Sequence, residues 1–207
     1  MSKLDREQIV DVAMEVIADG GEAALSMRAL ATRLRVTPMA LYRHFADRDG
    51  LLLAVVGRVS ERIVFPAPVE DPVDRAVATA LCLHDFLVAH PWMIRLISTG
   101  RLASPAGLRF PEEFLSCGFA AGLDEGRAFL FYRQMFAAVL GQATVTHARR
   151  GSTGPVDVGV RLGLDGSVPV VAGLVERWAE LDATASAAAV LRTAASVLRT
   201  PSPEEST

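Results

Sequence analysis

The stretch from Ser26 to Phe45 constrains the fold of this chain more than any other part of the sequence. It reads SMRALATRLRVTPMALYRHF. Ser26 stands where an N-cap belongs, and Leu25 and Leu30 are placed as a hydrophobic staple across it. The first half repeats apolar residues at the spacing of one helix face, namely Met27, Leu30, Ala31 and Leu34. This pattern predicts a first short helix that ends at Arg35.

A second short helix is predicted directly after Val36. Thr37 can cap it, with Pro38 at the first helical position, where a missing N–H costs nothing. Leu41 and Phe45 are four residues apart and can face the first helix. The opposite face would carry the outward-pointing side chains of Met39, Tyr42 and Arg43. Two helices joined by a tight turn form a helix-turn-helix, whose second helix lies in the major groove of DNA.

The residues of this segment also resemble a known motif. The chain has Leu41-Tyr42-Arg43-His44-Phe45 and then Asp47-Arg48-Asp49-Gly50-Leu51. This is similar to the DNA-binding motif of the tetracycline-repressor (TetR) family, which ends in Leu-Tyr-x-His/Tyr-Phe followed by Asp/Asn-Lys-x-x-Leu. The motif covers roughly the first sixty residues. One position departs from it, because the family usually has Gly at the turn and this chain has Arg35, where a left-handed backbone would cost about 1 kcal/mol.

The rest of the chain predicts an all-α protein. The 207 residues are 51% hydrophobic and show few strand-like alternations. Phe65-Pro66-Ala67-Pro68 is a rigid break, which divides the chain into a domain at 1–64 and a domain at 65–207. The Gly-rich residues 149–168 are interpreted as a long mobile connection. The resemblance implies a three-helix DNA-binding domain with a linking helix, and then a helical domain for ligand binding and dimerisation.

The predicted DNA-binding site lies on an otherwise acidic protein. Net charge is −3 and the isoelectric point is about 5.8, yet five arginines and one aspartate fall between Met27 and Arg48. Arg43 suits guanine, and Met39 and Ala40 suit thymine methyl groups. Tyr42, His44 and Arg48 can hold phosphate. The resemblance adds a base contact from Arg28. The predicted DNA-binding residues are Arg28, Thr37, Pro38, Met39, Ala40, Tyr42, Arg43, His44 and Arg48.

A small-molecule effector is expected in the second domain because the resemblance implies a pocket there. The residues that would line it are large and apolar, with His84 and His147 as polar anchors. They are His84, Trp92, Met93, Phe110, Phe114, Tyr132, Met135, Phe136 and His147. For each of these side chains, ordinary core packing is the alternative interpretation.

Enzymatic and metal-dependent functions find little support in the sequence. Cys82 and Cys117 lack metal or redox spacing, and the spacing of His84, His90, Cys82 and His147 matches no metal site. The Gly-rich residues 151–166 lack the lysine of a phosphate-binding loop. We therefore expect no catalytic residue, no metal and no cofactor. No signal peptide or membrane-spanning run is visible, and a cytoplasmic location is expected.

Two helices are predicted to pair copies of the chain. The long helix near 125–148 and the C-terminal helix near 184–198 could form a four-helix bundle across a two-fold axis. The C-terminal helix is rich in small residues, namely Ala183, Ala187, Ala188, Ala194 and Ala195. The sequence thus predicts a homodimeric repressor that binds a palindromic DNA operator and is released by a small apolar or amphipathic effector. The alternative is a DNA-binding regulator controlled by a protein partner, or by no effector.

Overall fold

The fold is helical throughout the part of the chain that the structure describes. This computed structural model describes residues 4–99, 104–150 and 168–199, and no strand occurs among them. The helices are α1 Arg6–Gly20, α2 Met27–Leu34, α3 Pro38–Tyr42, α4 Arg48–Ser60, α5 Pro72–Ala89, α6 Trp92–Ser98, α7 Arg109–Ala120, α8 Glu125–Arg150, α9 Pro169–Leu174, α10 Trp178–Thr184 and α11 Ala187–Ala195. Short 3-10 turns at Glu22–Ala24, Val175–Arg177 and Ser196–Arg199 accompany them. The all-α prediction is confirmed.

Side-chain caps set the starts of the N-terminal helices, as the sequence predicts for Ser26 and, from the spacing of Asp5 and Gln8, for Asp5. Asp5 accepts a hydrogen bond from the Gln8 backbone N–H at 2.8 Å, which begins α1. Ser26 begins α2 by accepting from the Ala29 N–H at 3.1 Å. These carboxylate and hydroxyl oxygens satisfy N–H groups that the helix itself cannot satisfy.

Apolar packing then brings α2 and α3 together. The faces predicted for them are buried: Leu30 and Leu41 have no exposed surface, and Phe45 keeps only 3%. Helix α1 packs against both α2 and α4. Its buried face consists of Ile9, Val10, Ala13, Val16 and Ile17. The predicted three-helix module is therefore present, and it presents the second helix of the motif on its surface.

The chain forms two compact units that alternate along the sequence. One contains residues up to Phe65 together with 89–112, and the other contains 66–88 together with the residues from Glu113 onward. Helix α6 thus belongs to the first unit. The predicted division into domains 1–64 and 65–207 stays a prediction; its boundary falls one residue from the first division between the units.

The core of the second unit is built from α5, α8 and α11. Leu83 of α5, Met135 of α8 and Leu191 of α11 are almost completely buried. Helix α11 packs along α8, and the Gln134 amide donates to the Ala194 carbonyl at 3.4 Å. One side of the Ala-rich C-terminal helix, with Leu191 and Ala195, is therefore buried in its own subunit, whereas Ala188 on the helix is exposed.

Polar groups inside this second unit have partners. A ring nitrogen of His84 lies 3.1 Å from the Thr146 hydroxyl, and the other lies 2.9 Å from the Asp85 carboxylate. Arg75 donates to the Glu113 carboxylate at 2.6 Å. Burial raises the pKa of the Cys117 thiol to about 11. Cys117 is consequently an uncharged packing residue at neutral pH.

Two predicted elements differ from the observed ones. The apolar residues after Asp47 predict a helix that runs to about Val64, but α4 ends at Ser60. The sequence also predicts a single helix from Pro169 to Leu181, which the structure divides into α9, a 3-10 turn and α10. None of the residues in these three pieces is buried, so no tertiary packing sustains one continuous helix there. Of the predicted connection at 149–168, the first two residues belong to α8, and residues 151–167 lie outside the described residues.

The turn between α2 and α3 contains a left-handed non-glycine residue. Arg35 has φ 56° and ψ 42°, and its backbone N–H donates to the Thr32 carbonyl at 3.2 Å. Its side chain is exposed. This conformation strains any residue with a Cβ atom, so the departure from glycine at this position leaves the turn geometry intact but makes it less favourable.

We expect Arg35→Gly to raise the free energy of unfolding by about 0.5–1 kcal/mol. Relief of the left-handed strain raises the free energy of unfolding by about 1–2 kcal/mol. The greater freedom of glycine in the unfolded chain lowers it by about 0.4–1 kcal/mol. Urea denaturation measures the change. Arg35→Ala removes the same charge and keeps the strain, so it is the matched control. Equal stabilisation by both variants would assign the effect to charge instead of backbone.

Candidate nucleic-acid interface

The outer face of α3 is exposed as the sequence predicts. Met39 keeps 70% of its surface and Tyr42 keeps 48%, although both are large and apolar enough to be buried elsewhere. Arg43, directly after α3, is exposed as well. The inner side of the same helix buries Leu41 completely. Packing therefore fixes which side of α3 can meet a partner.

The other predicted DNA-binding residues lie around this helix. Arg28, Thr37 and Pro38 are exposed, whereas Ala40 and His44 are half-buried. Thr37 has the extended backbone of an N-cap, with Pro38 next to it, but its side chain makes no capping hydrogen bond. The prediction that the Thr37 side chain caps α3 is therefore wrong. The helix begins at Pro38, whose fixed backbone angle suits the first helical position.

Arg48 is held by the protein itself. Its Nε donates to the Leu25 carbonyl at 2.8 Å, and its Nη2 donates to the Glu22 carbonyl at 2.9 Å and to the Glu22 carboxylate. The side chain is about one-third exposed. The predicted phosphate contact of Arg48 stays a prediction, whereas its contacts assign it a structural role. It fixes the start of α4 to the residues that precede Ser26.

Glu22 is the centre of this network, and the sequence pattern did not single it out. The residue is 8% exposed, and its carboxylate accepts hydrogen bonds from both Arg48 and Arg95 of α6. The hydrogen bond from Arg48 is the main cause that lowers the pKa of Glu22. The carboxylate is therefore ionised at neutral pH, and one buried negative charge serves two guanidinium groups.

The predicted basic patch is smaller than the sequence count indicates. Arg33 pairs with Asp19 at 2.8 Å and with Glu15 at 3.4 Å, and Asp19 in particular raises the pKa of Arg33. Arg48 pairs with Glu22. Arg28, Arg35 and Arg43 are exposed and take part in neither of these ion-paired groups, whereas Arg33 is exposed but paired. The positive charge presented to a partner is thus concentrated on fewer side chains.

The predicted effector-binding residues are divided between the two units. Trp92, Met93 and Phe110 belong to the first unit. The second unit contains His84, Phe114, Tyr132, Met135, Phe136 and His147. Met93, Phe110, Phe114 and Met135 are fully packed core residues, and His147 is exposed. An effector role for these nine residues stays a prediction, and the four fully packed side chains have a sufficient explanation in the core.

Across 4–99, 104–150 and 168–199, no group of three His, Cys, Asp or Glu side chains is arranged to hold a metal ion. No helix within these ranges combines the length and the apolar character needed to cross a bilayer.

Comparison with known proteins agrees with the geometry. Residues 9–55 match the family described as bacterial regulatory proteins, tetR family. An HTH-type transcriptional regulator of Saccharopolyspora erythraea is 34% identical over 127 residues, which cover 60% of this chain and 52% of that protein. The chain thus spans about half the length of the curated relatives it matches.

Solved structures extend the likeness to the whole chain. The Streptomyces coelicolor TetR family protein ActR, in complex with actinorhodin, is 24% identical with a TM-score of 0.78, and the match covers 100% of both chains. At that identity the likeness concerns the fold. BioQ with its natural double-stranded DNA operator is 26% identical with a TM-score of 0.62, over 72% of this chain and 90% of BioQ.

A buried two-helix motif with an exposed second helix defines a helix-turn-helix DNA-binding domain. The match of residues 9–55 assigns this domain to the tetR family of bacterial regulatory proteins. The fold of the chain as a whole is similar to that of TetR family regulators, among them one from Streptomyces coelicolor A3(2) that is 26% identical with a TM-score of 0.73. The chain's relatives are named as regulators rather than enzymes.

Proposed function

We propose that the chain is a ligand-responsive repressor that binds a palindromic DNA operator as a homodimer in the bacterial cytoplasm. The exposed face of Met39, Tyr42 and Arg43 carries this proposal, because burial of Leu41 and Phe45 leaves that face to the solvent. BioQ, which shares 26% identity, forms a complex with its natural double-stranded DNA operator. That complex supports operator DNA as the partner class.

Each exposed side chain has a proposed role at the DNA. Arg43 reads guanine through two hydrogen bonds, and Met39 contacts thymine methyl groups. Tyr42 and His44 hold phosphate, with Thr37 and Pro38 at the leading end of the helix. Arg28 of α2 reaches a second base. These contacts would give α3 both its position on the duplex and its preference among sequences.

If Arg43 reads a base, Arg43→Ala should cost about 1–3 kcal/mol per half-site and mainly at one base position. The operator is first selected from random DNA by the wild-type protein. Binding is then measured on this operator, on its single-base variants and on random DNA. Arg62→Ala, two residues after the end of α4 and also exposed, removes a similar charge and should leave the base preference unchanged. An unchanged preference in Arg43→Ala would mean that Arg43 reads no base.

The proposed dimer uses the outer side of the bundle formed by α8 and α11. Three large apolar side chains of the long helix α8 are exposed, namely Phe129 at 54%, Leu130 at 69% and Val145 at 44%. Large apolar side chains in such numbers on one helix are typical of an interface. Val197, after α11, adds to the exposed apolar surface. A second copy of the chain would cover these residues and provide two recognition helices.

Leu130→Glu should convert the dimer to a monomer, because it places a charge in the proposed interface without disturbing the subunit core. Sedimentation velocity at micromolar concentration measures the change. The matched control is Leu108→Glu, because Leu108 in the first unit is also an exposed leucine, at 57%. This variant should stay dimeric. A wild-type protein that sediments as a monomer would contradict the dimer. A substitution at Leu191 of α11 would not test this interface, because Leu191 is buried within its own subunit and Leu191→Glu would disturb the subunit core.

The proposed effector is a small apolar or amphipathic molecule bound by the predicted aromatic and methionine residues. ActR, a protein of the same fold, was crystallised with actinorhodin, which shows that such a fold can hold a small molecule. The alternative function is a DNA-binding regulator controlled by a protein partner or by no effector. The two differ in whether a small molecule changes operator affinity.

A thermal-shift screen of apolar and amphipathic compounds should find one that raises the melting temperature and weakens operator binding together. The two effects are linked, because a ligand shifts a conformational equilibrium only through its different affinities for the two states. Operator affinity is measured at saturating compound. Compounds that stabilise the fold while operator affinity stays constant would favour the alternative.

A further inference from the structure

The C-terminal end of α3 is fixed by a side chain from α1. Helix α3 has five residues, and the backbone N–H groups of His44 and Phe45 both donate to the Leu41 carbonyl, at 2.9 and 3.0 Å. The last carbonyl groups of a helix have no partner within it. Here the His44 carbonyl accepts a hydrogen bond from Nη1 of Arg6 at 3.0 Å, across 38 residues of sequence.

Arg6 also contacts the residue after His44. Its guanidinium carbon lies 4.2 Å from the centre of the Phe45 ring. That ring is 3% exposed, so the guanidinium covers the outer side of a buried aromatic residue in a cation–π contact. Two nearby carboxylates of α1 form ion pairs with a different arginine. These are Glu7 and Asp11, which pair with Arg58 of α4. Arg6 therefore fastens α1 to the end of α3.

We propose that Arg6 is a positioning residue for DNA sequence preference. It holds the His44–Phe45 backbone, and thereby fixes the direction in which the adjacent Arg43 leaves the end of α3. The proposal rests on the proposed function, because it concerns how α3 reads DNA. Arg6 acts through the protein backbone in this role and need not touch DNA.

Two other roles for Arg6 give different results. A phosphate contact would weaken operator and random DNA alike, and its loss would lower the salt slope of binding by about one per subunit. A purely structural contact would lower the melting temperature and leave the ratio of operator to random-DNA affinity unchanged. A positioning role lowers that ratio at an unchanged salt slope, under conditions where the variant is fully folded.

Arg6→Ala, Arg6→Lys and the control Arg58→Ala separate these roles. Lysine keeps the charge, but it lacks the planar fork that donates to the carbonyl while stacking on the ring, so it should rescue only part of the effect. Arg58→Ala also removes an α1 contact, but it leaves α3 untouched. We expect Arg6→Ala to lower the affinity ratio about tenfold and Arg58→Ala to leave it unchanged.

The readouts are binding to the selected operator and to random DNA over a salt series, and amide hydrogen exchange in the free protein. His44 and Phe45 should exchange faster in Arg6→Ala than in Arg58→Ala. The proposal would be overturned if Arg6→Ala left the ratio of operator to random-DNA affinity unchanged while the wild-type protein preferred its operator. Unchanged hydrogen exchange at the His44 and Phe45 amides in Arg6→Ala would overturn it as well. A wild-type protein that selects no DNA sequence would overturn the proposed function, and the exchange experiment would still decide whether Arg6 holds this end of α3.

Discussion

The ionised carboxylate of Glu22 is the contact on which the first unit depends. A carboxylate that is 8% exposed is unfavourable unless it is paired, and two guanidinium groups pair with it here. Arg48 brings the start of α4 to it, and Arg95 brings α6. Because the same Arg48 also holds the Leu25 carbonyl, the residue just before the Ser26 cap is fixed as well. Loss of the carboxylate would release three segments at once.

The parts of this unit that could be predicted from sequence are those governed by local rules. Asp5, Ser26 and Asp47 each accept a hydrogen bond from the backbone three residues later, and such caps leave a pattern in four consecutive positions. The inner and outer faces of α3 follow from helical spacing in the same way. Local sequence thus determined where these helices start and which side of α3 is exposed.

The contacts that the sequence did not reveal join distant residues. Glu22 and Arg95 are 73 positions apart, and Arg6 and His44 are 38 positions apart. Charge counting treated Arg33 and Arg48 as free cations, yet each lies against a carboxylate brought to it by folding. The alanines of the C-terminal helix predict pairing between subunits, yet α11 also packs along α8 of its own chain, and small side chains allow close packing in either setting. Which partner an arginine or an alanine meets is decided by the tertiary structure, not by its neighbours in sequence.

The buried thiol of Cys117 provides a measure of how the second unit opens. The thiolate is the form of cysteine that attacks alkylating reagents, whereas this thiol is fully buried and held protonated with a pKa of about 11. Its alkylation therefore requires the core around α5 and α7 to separate. The chain has two cysteines, so replacing the half-buried Cys82 leaves a single reporter. When the reagent is concentrated enough for alkylation to outpace reclosing, the alkylation rate of that reporter gives the frequency of opening in the second unit. A bound small molecule that tightens this core would slow it.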